Sequence, residues 1–127
     1  KVLGWFDILV NKYKVRNIRF DDELFILSPQ RVERFCDMLI ERKYDLNIWA
    51  YGRVDTIKHS LLKKLKEAGV NWICLGIESG NENVRADVNK KIHRDIFETV
   101  KMIQSNDIYV LGNFMFGLPE DNLSTMQ

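Results

Sequence analysis

The sequence predicts an α/β chain, a partial βα (TIM-like) barrel of four parallel strands with outer helices. Two observations carry this. Short apolar stretches of strand type alternate with segments whose apolar residues recur at three and four, and the strand candidates share one aliphatic face and one polar, aromatic, glycine-bearing face. With 127 residues, 46% hydrophobic and 29% charged, the chain has the composition of a single soluble domain over residues 1–127, and disorder is excluded. A formal net charge of +1 gives no signal for nucleic acid or an anionic membrane. No apolar run reaches the ~18 residues a membrane span needs, and Lys1 to Val10 lacks a signal-peptide pattern, so the expected location is the cytoplasm.

The elements follow in order. A helix is predicted from about Val2 to Tyr13, with Phe6, Leu9, Val10 and Tyr13 for its buried face. The strand candidates are Ile18 to Asp22, Leu46 to Arg53, Val70 to Glu78 and Ile108 to Gly117, rich in Ile, Val, Trp, Tyr and Phe. Between them lie three helical patterns. The first carries Val32, Phe35, Cys36, Leu39 and Ile40; the second Ile57, Leu61, Leu62, Leu65 and Ala68; the third Ile92, Ile96, Val100 and Ile103. Ser28 before Pro29 reads as an N-cap with proline at the first helical position, and Gly69 falls where a left-handed residue ends a helix. A run of βα units makes a parallel sheet.

Side chains alternate across a strand, so the faces can be counted. Ile18, Phe20, Ile48, Ala50, Ile73, Leu75, Ile77, Val110, Phe114 and Phe116 fall on one side. Opposite them fall Arg19, Asp21, Trp49, Tyr51, Arg53, Trp72, Cys74, Gly76, Glu78, Tyr109, Asn113 and Gly117. Burying that second face between two helix layers would be costly, whereas it suits the lumen of a barrel. A standard βα barrel takes eight strands, so four imply a piece of a larger barrel or completion by association, including a homo-oligomer.

In parallel βα architectures ligands bind at the carboxyl ends of the strands. Asp21, Arg53, Glu78 and Gly117 all lie there on the polar side, and two carboxylates, a guanidinium and a bare backbone position could hold a zwitterionic ligand bearing hydroxyls. The other reading is that these groups pair with one another or cap the next helices. Both stand at this point.

Phe20-Asp21-Asp22-x-x-Phe25, Arg53-x-Asp55, Gly76-Ile77-Glu78-Ser79-Gly80, Lys90 and Phe114-Met115-Phe116-Gly117-Leu118-Pro119 come in register along nearly the whole chain. In that order and spacing they resemble the radical S-adenosylmethionine (SAM) enzymes, within them the branch that includes cobalamin-binding and methylthiotransferase-like members. The resemblance implies a partial barrel of six strands, with SAM and a [4Fe-4S] cluster at the strand carboxyl ends. It also implies reductive cleavage of SAM to a 5′-deoxyadenosyl radical that abstracts hydrogen from a small-molecule substrate, in an Fe-S oxidoreductase or a methyltransferase. Cobalamin, where used, would sit in a domain preceding the barrel.

Position by position, Asp21 and Asp22 match the second family strand, where many members hold the methionine amine with a Gly-Gly-Glu motif; carboxylates replace the glycines here. Arg53 matches the third strand, toward the methionine carboxylate or the substrate. Glu78, followed by Ser79, matches the position that binds the ribose hydroxyls, and Gly117 to Pro119 match the strand end beside adenine.

One departure bears on activity. The cluster motif C-x-x-x-C-x-x-C is absent, and Cys36 and Cys74 cannot supply three cysteinyl ligands, so these residues alone should hold no cluster and be inactive. The expectation is a central barrel piece lacking the first strand with its cluster-binding loop and the last strand, whose partner is the remainder of the barrel. Two rivals stand beside it: a βα-barrel hydrolase using Asp21 and Glu78 as acid and base, and a cluster-less scaffold module.

Other residues take plainer readings. Cys36 and Cys74 are expected as reduced, buried packing groups, and His59 and His93 as surface or capping groups at helix starts. Trp49, Tyr51 and Trp72 are expected as core more than as pocket, and Lys63, Lys64 and Lys66 as a solvated helix face. Asn81-Glu82-Asn83 is read as turn and cap chemistry.

Overall fold

A computed structural model describes residues 2–22, 25–87 and 95–127. Four strands, β1 (Asn17–Arg19), β2 (Asn47–Gly52), β3 (Val70–Glu78) and β4 (Tyr109–Phe114), form one sheet in the order β1-β2-β3-β4, and every pairing is parallel. Sequence neighbours lying side by side throughout is the order of a barrel wall; a doubly wound sheet would reverse direction at a switch point. The helices are α1 (Val2–Asp7), α2 (Pro29–Glu41), α3 (His59–Glu67), α4 (Glu82–Asp87) and α5 (Ile96–Gln104). The first and last strands are shorter than their apolar stretches. β1 ends at Arg19, although Phe20 N–H still donates to the Trp49 carbonyl, which leaves Asp21 and Asp22 in the following loop.

The aliphatic face of the sheet and the inner stripes of α2, α3 and α5 make one core. Ile48, Ala50, Leu62, Leu65, Ile73 and Leu75 have no exposed surface, each large side chain worth roughly 1.5–3 kcal/mol of burial. Both cysteines are buried free thiols, as expected, and burial pushes the Cys36 thiol up to about 12. Gly69 ends α3 at φ +95°, and a Cβ there would stand 2.7 Å from the Leu46 carbonyl oxygen, so this turn requires glycine.

Several expectations are corrected. The first helix gives way at Ile8 to a π-helical turn running to Lys12; of its expected inner face only Phe6 is buried, and Tyr13 is exposed. α3 starts at His59, so Ile57 is a buried residue of the preceding loop. The third helix, α5, starts at Ile96 behind the N-cap Asp95, whose carboxylate accepts from Glu98 N–H; Ile92, His93 and Lys90 lie outside the described residues. Asn81 does cap, accepting from the N–H groups of Asn83 and Val84, but what it caps is a helix, α4, that the turn reading had not included. Among the described residues no helix is long and apolar enough to cross a membrane.

Candidate functional site

The inner, polar face of the sheet divides along the strands. At its amino end a chain of amides crosses three strands. Lys66 Nζ donates to Asn71 Oδ1 at 2.7 Å and to the Asp107 carbonyl at 2.6 Å; Asn71 Nδ2 donates to Asn47 Oδ1, and Asn47 Nδ2 to Asn17 Oδ1. The ammonium fixes the direction of every amide, because it can only donate. Lys66 is therefore a structural group rather than part of a solvated face, and Lys64 is held by Asp37 at 3.0 Å. A bulge in β3 makes the ladder possible: Val70 pairs with Ile48 and Trp72 with Trp49, leaving Asn71 as the extra residue.

One layer further, Trp49 and Trp72 approach at 5.2 Å and Trp72 stacks on Tyr109 at 4.7 Å between centroids. Trp49, Tyr51 and Trp72, expected as core, are only half-buried; Trp49 and Trp72 pave the inner face beside Arg19, and Tyr109 is exposed.

At the carboxyl end each strand runs into a short clamped turn. After β1, Phe20 and Phe25 stack at 4.7 Å within a cluster with Phe6 and Phe35, and Phe25 N–H donates to the Asp22 carbonyl. This closure is what the Phe20-x-x-x-x-Phe25 spacing encodes, and Asp21 and Asp22 ride on it. Asp21 pairs with Arg19 at 2.8 Å and Asp22 with Arg31 at 2.7 Å. After β2, Thr56 Oγ1 donates to the Arg53 carbonyl, and the Arg53 guanidinium grips both oxygens of Asp55 at 3.0 Å. That charge-assisted contact raises the guanidinium pKa further. After β4, Gly117 takes φ +81° with open space where a Cβ would be, and Asp121 accepts from Leu118 N–H at 2.9 Å, fixing the approach to Pro119.

The end of β3 differs in kind. Glu78 sits at φ +68°, a conformation that costs an L residue about 1–2 kcal/mol. Ser79 N–H donates back to the Ile77 carbonyl in a γ-turn contact, and Met115 N–H donates to the Glu78 carbonyl at 2.7 Å. A second register shift, between Gly76 and Glu78 against β4, accompanies it. Strained residues held by their surroundings cluster at binding sites. Glu78, Ser79 and Gly80 line a cavity of about 250 Å³ together with Phe114, Met115 and Phe116. Ser79 is buried and its hydroxyl accepts from Asn81 N–H.

Of the strand-end groups, Asp21, Asp22 and Arg53 make local ion pairs, and Glu78 lines a cavity together with Phe114 of β4. The pairing of Asp21 with Glu78 as acid and base does not fit. By the strand register they lie two strands apart and about four residues apart in level, roughly 16 Å at ~4.8 Å per strand and ~3.3 Å per residue, beyond the ~6.5–9.5 Å of an inverting carboxylate pair.

The model of the Radical SAM superfamily matches residues 20–127, nearly all of the chain. The chain belongs to the radical SAM superfamily. An uncharacterized methyltransferase of Pyrococcus horikoshii, PH0819, is 26% identical over 122 residues, 95% of this chain and 27% of that protein. Among solved structures, the radical SAM methyltransferase TsrM of Kitasatospora setae, with cobalamin and a [4Fe-4S] cluster bound, superposes with TM-score 0.82 at 16% identity, over 98% of this chain and 26% of that one. The cobalamin-dependent radical SAM enzyme OxsB, with aqua-cobalamin and SAM bound, gives 0.81 at 19%, over 98% and 20%. These likenesses show the fold: four parallel strands of a radical SAM barrel wall. The chain spans about a quarter of the length of the relatives it matches.

The radical SAM site can be tested against the two groups its family implies. A nucleoside fits the end of β3 and β4: a carboxylate to accept from hydroxyls, aromatic rings at Phe114 and Phe116, and an open backbone position at Gly117. A cluster does not fit these residues. The chain has two cysteines, both buried, and no group of three metal-ligating side chains occurs among the described residues. Sequence reasoning missed Asp121, which lines the cavity and fixes the turn after β4 through Leu118 N–H.

Proposed function

We propose that this chain is the SAM-binding wall of a radical SAM Fe-S oxidoreductase or methyltransferase. The observation that carries the reading is Glu78, held at positive φ at the end of β3 beside the cavity that β4 completes. In this role the Glu78 carboxylate accepts from the ribose hydroxyls, Ser79 shapes the turn, and the Gly117 to Pro119 backbone lies along adenine. Asp21 or Asp22 takes the methionine amine and Arg53 its carboxylate, each exchanging a local ion pair for the ligand. In the family, SAM on a reduced [4Fe-4S] cluster supplies a 5′-deoxyadenosyl radical for hydrogen abstraction; the cluster's ligands belong to the remainder of the barrel. Bound cobalamin in TsrM and OxsB supports a place in the cobalamin-binding branch. Two reduced thiols and the lack of a membrane-crossing helix among the described residues support a cytoplasmic location.

The test is SAM affinity of the full-length protein, by equilibrium dialysis, for wild type and Glu78→Ala. A charged hydrogen bond is worth about 1.5–3 kcal/mol, so a loss of roughly 10- to 100-fold is expected, with cluster content unchanged. Equal affinity would remove Glu78 from the site.

A further inference from the structure

Arg85 is the one charged side chain among the described residues counted as buried, at 9% exposed. It lies on α4, six residues past Ser79, and its Nη1 donates to the Ser79 carbonyl at 2.6 Å. Its Nε is buried with no hydrogen-bond partner among the described residues. Burying a cation is a standing cost, and a residue that only filled space would do so better as an aliphatic side chain. Such a group calls for a function near by.

The carbonyl it grips belongs to the turn that sets Glu78. Three successive carbonyls there are tied by three different elements: Ile77 by Ser79 N–H within the turn, Glu78 by Met115 N–H from the end of β4, and Ser79 by Arg85 from α4. A left-handed glutamate persists only where its surroundings leave no relaxed alternative. The first two contacts are backbone groups; the third is the only one of them that a side-chain substitution can remove.

Resting on the reading of Glu78 as the ribose-binding group, we propose that Arg85 is a positioning residue that fixes the Glu78–Ser79 turn through the Ser79 carbonyl and so sets the preference for a ribose with both hydroxyls. Without that contact, the peptide after Glu78 is free to turn, and the carboxylate loses its fixed aim at the diol while adenine and methionine contacts remain.

The experiment compares, in the full-length protein, affinities for SAM and for its 2′-deoxy and 3′-deoxy analogues. Wild type should prefer SAM over at least one analogue by tenfold or more. Arg85→Met should bind SAM about tenfold more weakly yet bind that analogue as wild type does, so the ratio falls toward one. Arg85→Lys, which can still donate to the Ser79 carbonyl, should keep most of the preference. Arg85→Leu replaces Arg85→Met, with the same expectation, if the latter does not fold. A wild type that does not discriminate overturns the Glu78 reading itself. A discriminating wild type with the ratio intact in Arg85→Met, or with both ligands weakened equally, overturns the role of Arg85.

Discussion

The amino and carboxyl ends of the same inner sheet face are built on opposite plans. At the amino end, Lys66, Asn71, Asn47 and Asn17 satisfy one another in a single directed chain, and Trp49, Trp72 and Tyr109 pave the next layer. Polar groups there are consumed by the fold. At the carboxyl end the polar groups are held by short turns, in exposed ion pairs such as Arg19–Asp21, and in one case by a strained backbone at Glu78. A barrel wall can thus be stable through one end of its lumen and available through the other, and the position of a polar residue along the strand says more about its role than its chemistry does.

If that division is right, substitutions at the amino end should cost stability and leave SAM affinity alone. The largest effect is expected from Trp72→Ala, which removes the middle ring of the stack: about 2–3 kcal/mol by urea unfolding, below the full cost for a wholly buried Trp because Trp72 is half-buried. A tenfold loss of SAM affinity in that variant would break the division. Asn47→Ala interrupts the ladder between two partners and should cost about 1–2 kcal/mol, again with cofactor affinity unchanged.

Alkylation sharpens the contrast between the sheet's inner face and the helix-covered core. Burial raises both thiols, but Cys74 in β3 is drawn back by Arg19, whereas Cys36 on the buried stripe of α2 is pushed to about 12. Cys74 should react with iodoacetamide first as pH rises toward 9. Because the folded state holds the Cys36 proton above its unfolded value of 9.0, the unfolded chain sheds it first, and stability should fall as pH climbs from 9.0 toward 12. The smallest effect belongs to Arg16→Ala: its pair with Asp45 is 73% and 85% exposed, and the loss should stay within about 0.5 kcal/mol.

Much of this was legible in the residues. Period-two stretches marked all four strands, and face counting put Trp49 and Trp72 on one side, where their rings meet. It also put Phe114 and Phe116 with the aliphatic core, yet both are exposed and line the cavity with Glu78. What stayed hidden depends on contacts between distant parts of the chain. The bulge that frees Asn71 depends on pairing register; Lys66 looks like any surface lysine until Asn71 and Asp107 come beside it. Glu78 carries no local mark of positive φ, since nothing in its side chain favours that region. Arg85, in a short polar helix, reads as solvated, and its burial is set by neighbours that periodicity cannot name. The sequence pattern reveals which face a residue takes, and tertiary packing decides whether the fold or a ligand uses it.

The central claim is that the strain at the end of β3 is kept for the Glu78 carboxylate, and the most direct measurement compares Glu78→Gly with Glu78→Ala in unfolding and in SAM binding. Both lack the carboxylate, so they differ in backbone alone. The expected result is that the glycine variant is about 1 kcal/mol more stable than the alanine variant, because glycine adopts positive φ without a Cβ penalty, while both bind SAM at least tenfold more weakly than wild type. Equal stabilities together with wild-type SAM affinity would contradict the account.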